Sequence, residues 1–278
     1  MTILVFTGVL FLGAMAAGLL GSLTGLGGGV VLIPLMTLVF KVDIHYAIGT
    51  SLVSVIATSS GAAAAYVREG ITNIRLGMFL ELATTLGAIG GAWLAASLPT
   101  SFIAILFGVI LILSAIASFA KLADPVFTDD GSPLSRLLRL NNSYPTPGGE
   151  KRYTVKNIVG GFLMMNVAGI ISGLLGIGSG ALKVIAMDNI MRVPFKVSTT
   201  TSNFMIGVTA VASVGIYLHK GYIDPGLSMP VMLGVLLGAF IGSRILAKAK
   251  VASLKILFAG VVLVLAIEMI YNGFTHNI

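Results

Sequence analysis

One basic residue stands well inside an apolar stretch of this sequence. It is Lys183, in GIGSGALKVIAM, residues 176–187. A lysine at mid-membrane depth costs about 2.5–3.5 kcal/mol even on insertion scales. This one also falls in the first turn of a short apolar segment, the helix end where the dipole disfavours a cation. Something negative must offset both penalties. Asp188 is five residues on and poorly placed for a helical pair. One answer is structural: Lys183 snorkels to the surface or pairs with Glu268 from another helix. The other, favoured here, is functional: Lys183 and the N–H groups after Ser179 hold an anionic substrate.

The residues around it fit anion chemistry. GLGGG, residues 25–29, precedes the short apolar segment Val30–Phe40, and GIGSG, residues 176–180, precedes Ala181–Met191. Glycine is costly inside a helix. Gly25, Gly27, Gly28 and Gly29, and likewise Gly176, Gly178, Ser179 and Gly180, therefore read as breaks that expose backbone N–H groups at a helix start, a setting suited to an anion. Close helix packing is the competing use of such glycines, and it is the favoured reading for the later pairs Gly87/Gly91 and Gly238/Gly242. Thr50 and Ser51 follow the first break, and Thr201, Ser202 and Asn203 follow the second. Their hydroxyl and amide groups can donate to oxyanion oxygens, or bond their own helices instead.

Two carboxylates, Glu81 and Glu268, lie in apolar segments and are candidates for ion coupling. Glu81 is six residues, about 9 Å of helix, from Arg75, which puts it towards the cytoplasmic surface. The histidines His45, His219 and His276 fall in loops or at the terminus and read as solvated. No metal-ligand spacing, Walker A sequence or nucleophile–base cluster is present, so neither a metal, a cofactor nor an enzyme activity is expected. A dinucleotide fingerprint in GLGGG fails for want of a preceding strand.

The elements that must position these residues are membrane helices. The chain has 278 residues, 56% of them hydrophobic and 10% charged, with a mean hydropathy of +1.03. Its apolar runs are apolar on all sides, unlike the alternating strands of a membrane β-barrel. The net charge of +7 fits basic cytoplasmic loops rather than a nucleic-acid partner. There is no cysteine. The N-terminus lacks a basic leader and reads as an uncleaved first segment. Trp93, Tyr66 and Tyr217 suit interfacial anchoring.

Five segments, 2–23, 30–40, 46–67, 76–97 and 101–122, precede a polar loop, 124–153, and five more follow at 157–175, 181–191, 195–218, 226–247 and 253–274. A shift of 151 residues aligns Ala17 to Gly91 with the second half without a gap: Gly25, Gly27 and Gly29 fall on Gly176, Gly178 and Gly180, Thr50-Ser51 on Thr201-Ser202, and Tyr66 on Tyr217. An odd number of crossings per half leaves the loop lysines and arginines inside except Lys41 and Lys220. The expected fold is therefore an all-α polytopic membrane protein of two inverted repeats of about five segments each. Its divisions are 1–122, a cytoplasmic linker 123–153, and 154–278. The 11-residue segments, at about 17 Å, are too short to span a core of ~30 Å, so the glycine breaks lie at membrane depth, as unwound crossings or as tips of re-entrant hairpins.

GLGGGVVLIPLM with AIGTSLVSV, repeated as GIGSGALKVIAM with VSTTTSNFM, resembles the sulfite exporter TauE/SafE family over nearly the whole chain outside the linker. Ser179, Lys183 and Ile185 depart from the first half's pattern. The resemblance implies a bacterial cell-membrane secondary transporter for sulfite, a sulfonate or a related small organic anion. Alternating access between inverted halves, with a proton or another ion coupled, is the mechanism this leads to. An anion channel, or a non-transporting subunit of a membrane complex, are the alternatives. The bilayer is a partner on any of these readings, and a homo-oligomer stays open.

Overall fold

The computed structural model describes residues 3–24, 28–68, 70–119, 133–146, 149–246 and 251–275. The first repeat folds as α1 (Ile3–Thr24), α2 (Gly29–Pro34), α3 (Ile44–Arg68), α4 (Ile74–Ala95) and α5 (Thr100–Phe119). The second folds as α7 (Ile158–Leu175), α8 (Gly180–Ile185), α9 (Phe195–His219), α10 (Pro225–Leu246) and α11 (Val251–Phe274). Both short helices run on as a π-helical turn, over Leu35–Val39 and Ala186–Ile190. Only the first carries a proline, Pro34, so proline does not dictate that turn. The bounds of α2, its π turn, α3 and α4 match those of α8, its π turn, α9 and α10 at the 151-residue shift. The left-handed residues Lys41 and Arg192 match as well, as do Gly70 and Gly221.

The two symmetric halves interlock. α1 packs on α10, α4 on α7, α3 on α9 and α5 on α11, so each of these pairs joins one half to the other. Lipid offers no hydrophobic drive between helices, and close backbone approach must supply the packing. Gly18 lies on the carbonyl of Val235, and its counterpart Gly169 on that of Thr84. Gly87 meets Asn166, and Gly238 meets Met15, in the same reciprocal way. A Cβ at any of the four would run into backbone, so the packing reading of Gly87 and Gly238 holds. Outward, α4 exposes Met78, Leu82, Leu86, Ile89 and Trp93. Five helices among the described residues are long and apolar enough to cross a membrane. The molecule is a multi-pass integral membrane protein.

Contacts between loops define two ends. At one, His45 Nε2 meets the Ala95 carbonyl at 3.2 Å and the His45 ring stacks on Tyr222 at 4.8 Å. His45 is thus buried rather than solvated. Its imidazole, hydrogen-bonded to Asp43, holds that carboxyl below the usual range. His219 is exposed as expected, and His276 lies outside the described residues. At the other end, Asn73 caps α4 by accepting from Leu76 N and donates through Nδ2 to Leu140 O and Tyr153 Oη, both at 2.8 Å.

That second end holds what the sequence presents only as a linker. It contains α6 (Pro133–Leu137) and a hairpin, β1 (Asn142–Thr146) paired antiparallel with β2 (Gly149–Tyr153). Its strands lack the alternation of a half-buried sheet and carry Pro145, so composition masks them. Buried Tyr153 anchors it, and burial pushes the phenol pKa up. Tyr217 also departs from expectation. It is buried, and its hydroxyl donates to Gly173 O at 3.2 Å, so it is no interfacial anchor. Trp93 is exposed, and the side chain of Tyr66 lies outside the described residues.

Each short helix returns along the helix before it. Lys156 N donates to Met191 O at 2.9 Å, which closes the base of the α7–α8 hairpin. In the first half, the rings of Phe6 and Phe40 meet edge-on at 5.8 Å. The second break, 176–180, is therefore the tip of a re-entrant hairpin, the second of the two arrangements that charge counting leaves open, whereas Gly25 and Gly27 of the first break lie outside the described residues.

Candidate functional site

The two tips meet between the halves. Ser51 Oγ, from α3, donates to the Gly176 carbonyl at 3.0 Å, and Gly29 packs against Gly176 and Ile177. In the second half, Ser202 Oγ donates to Gly180 O at 3.1 Å. These hydroxyls tie down carbonyls of the broken backbone. Thr50 Oγ1 is 3.3 Å from Ser228 Oγ on α10, and Thr201 Oγ1 accepts from Asn73 N at 3.1 Å. Both threonines bind the flanking helix, away from the tips. Asn203 is half-buried on α9. Gly25 and Gly27 lie outside the described residues.

The breaks differ in backbone. Gly28 is right-handed, φ −65°, and its carbonyl accepts from Leu32 N at 3.0 Å. In the second tip, Gly176, Gly178 and Ser179 all have positive φ, at 66°, 73° and 47°. A left-handed serine costs on the order of 1–2 kcal/mol. Its buried hydroxyl has no hydrogen-bond partner among the described residues. It lines a cavity of about 10 Å³, room for about one water. Val30 and Ser114 from the first half and Ser179, Gly180, Ala181 and Leu182 from the second form its walls.

Lys183 leaves this cavity for the other side of α8. It is fully buried, and Nζ donates to Thr209 Oγ1 on α9 at 2.5 Å. Thr209 Oγ1 lies 2.6 Å from Glu81 Oε1 on α4, which also accepts from Thr85 Oγ1 at 3.2 Å. With Lys183 donating, the threonine proton turns to the carboxylate in a short, charge-assisted bond. The negative group that Lys183 requires is therefore Glu81, reached through Thr209 rather than in direct ion-pair contact. It is not Glu268, which is exposed on α11 and bonded to Asn272. Glu81, expected towards the cytoplasmic surface, faces the interior.

Sequence reasoning missed Thr209, Ser228 and Ser114. A signal existed for the first: Thr209 lies two turns beyond Ser202 on the same face of α9, and Thr58 matches it at the 151-residue shift. The counterparts of Lys183 and Glu81 are Leu32 and Met232, so the charge relay exists in one half only.

A family model described as "Sulfite exporter TauE/SafE" matches residues 10–269. Among curated relatives, the probable membrane transporter protein YunE of Bacillus subtilis (strain 168) is 26% identical over 268 residues, 93% of this chain and 95% of the relative. YdhB and YjnA of the same organism, also named probable membrane transporter proteins, are each 28% identical. YdhB covers 85% of this chain and 87% of its own length, and YjnA 94% and 98%. No solved structure matches the chain.

Proposed function

Because the chain belongs to the sulfite exporter TauE/SafE family, a family of membrane anion transporters and not of enzymes, we propose that it moves a small sulfur-containing oxyanion by alternating access. The observation that carries this reading is the meeting of both glycine tips across the interface between the halves, with Ser51 of one half on Gly176 of the other. A site made jointly by two halves changes its exposure when they move against each other. The anion sits at this junction, with Ser179 and the break backbone on one side and the Lys183 ammonium supplying charge once it turns from Thr209. A sulfur oxyanion is larger than one water, so the walls around the Ser179 cavity part to admit it.

The test is uptake by the purified chain in liposomes, with sulfite, sulfate, thiosulfate and small sulfonates compared. Saturable uptake of sulfite or a sulfonate, several-fold above sulfate, is expected. Flux that rises linearly with concentration for every anion would identify a channel instead.

The repeats are inverted in this proposal, with the 123–153 linker in the cytoplasm. Support comes from the basic loops and from the two ends of the fold: the hairpin lies with Asn73 and Tyr153, whereas Lys220 lies beside Tyr222 and His45 at the other end. The chain has no cysteine, so single cysteines label without background. Glu150→Cys is expected to react only from inside and Lys220→Cys only from outside. Reaction of both from one face would exclude the topology.

A further inference from the structure

We propose that Glu81, Thr209 and Lys183 form a proton-operated lock on the anion site, so that one proton enters with each singly charged anion. The inference rests on the oxyanion-transport reading above and adds the coupling ion and its seat. In the closed relay the ammonium already has a counter-charge: Nζ donates to Thr209 Oγ1, whose proton serves Glu81 Oε1. An incoming anion must compete with that resident carboxylate for the same positive charge. Glu81 Oε2 is buried with no hydrogen-bond partner among the described residues, so it is the open position on the carboxylate.

A proton adding to Oε2 forms an O–H bond and turns the carboxylate into a neutral acid. Thr209 then loses its charged acceptor. Its hydroxyl has an alternative already in place, the Met205 carbonyl at 2.9 Å. The ammonium keeps its three protons and its charge, and the anion becomes its counter-ion. When the anion leaves, the proton leaves Oε2 and the relay closes again. Charge balances at each step: the buried site holds either Lys⁺ with Glu⁻, or Lys⁺ with anion⁻ and a neutral acid. An uncompensated buried charge never forms, and that state would cost several kcal/mol.

Among the described residues, few other charges reach the pair. α4 packs on α7 and α9. α7 carries no titratable side chain, and α9 carries Lys196, Tyr217 and His219 at its ends, eight or more residues from Thr209, about 12 Å or more along the helix. On α4 itself Arg75 is exposed, about 9 Å from Glu81 along the helix. Beyond α8, Asp188 is buried five residues after Lys183. Across the hairpin end, Tyr153 reaches Asn73, eight residues before Glu81.

The test uses the full chain in liposomes with labelled methanesulfonate, whose charge does not change over the working pH range, and a trapped pH dye. An acid-outside gradient is expected to drive accumulation by the native chain above equilibrium, with proton entry. Glu81→Gln keeps the hydrogen bond to Thr209 but cannot titrate. It is expected to retain sulfonate exchange at equal pH, with a rate that no longer changes with pH, and to lose gradient-driven accumulation at least tenfold. Accumulation by Glu81→Gln equal to the native chain would overturn the lock while leaving the transport reading intact. Absence of any sulfonate or sulfite exchange by the native chain would overturn both. Thr209→Val keeps both charged groups and the side-chain shape, and it covers the case in which Glu81→Gln does not fold. It is expected to lower gradient-driven accumulation at least fivefold with exchange retained, and native accumulation there would equally overturn the relay.

Discussion

Lys183→Leu is expected to destabilise the folded protein by about 3–5 kcal/mol and to abolish transport, and adding Glu81→Met is expected to restore the stability but not the transport. The single change leaves the Glu81 carboxylate buried with its cation gone, and an unpaired buried charge is far more costly than a missing pair. The double change copies the other half, where fully buried Leu32 and half-buried Met232 stand at the matching positions. The matching Thr58 bonds its own helix carbonyls there, Ser54 O at 3.1 Å and Val55 O at 3.2 Å. This backbone therefore accepts apolar side chains at both sites. Thermal unfolding in detergent reads the first part, and anion uptake reads the second. A double variant no more stable than Lys183→Leu would mean that the loss does not come from an unpaired carboxylate. A double variant that still transports would remove Lys183 from the anion site.

The same pair marks how far the sequence could be read. Lys183 and Glu81 stand where the other repeat has a leucine and a methionine, a departure visible in the 151-residue pattern, and the energetic argument that Lys183 needs a negative partner is correct. Which carboxylate it takes is not visible. Glu81 and Lys183 are 102 residues apart, and only the packing of α4 on α9 brings Thr209 between them. Helix bounds are legible because membrane helices are long, apolar and punctuated by loop residues. The interlocked pairing of α1 with α10 and α4 with α7 is not, since glycines such as Gly18 and Gly238 advertise close approach without naming the partner backbone. Re-entry at the breaks is hidden for the same reason: a hairpin tip and an unwound crossing share one composition. The hydroxyls mislead differently. Thr50 and Ser51 are neighbours in sequence, yet a helix turns them onto different surfaces, and only Ser51 reaches a glycine tip.

Gly178→Leu is expected to lower transport at least about a hundredfold, near 3 kcal/mol, while the protein still inserts and purifies. Two effects act at this position. Its φ of +73° belongs to the left-handed region, which a residue with a Cβ occupies at a cost of about 1–2 kcal/mol. A Cβ would also lie 2.8 Å from Ile206 Cγ2 and 3.5 Å from Val55 Cγ1. Val55 on α3 and Ile206 on α9 occupy matching positions in the two repeats, so Gly178 sits where the halves face each other. A bulky side chain there wedges the interface that must move for the site to change sides. Gly221→Leu separates the two effects. Its φ is +76°, yet nothing lies within 4 Å of a Cβ there, so it carries the strain without the crowding. Gly221→Leu is expected to keep transport within about threefold of the native chain, a change of less than about 1 kcal/mol. Uptake per molecule at matched membrane expression is the measurement. Equal losses in both variants would reduce the Gly178 effect to backbone strain, and undiminished flux in Gly178→Leu would place the moving interface elsewhere.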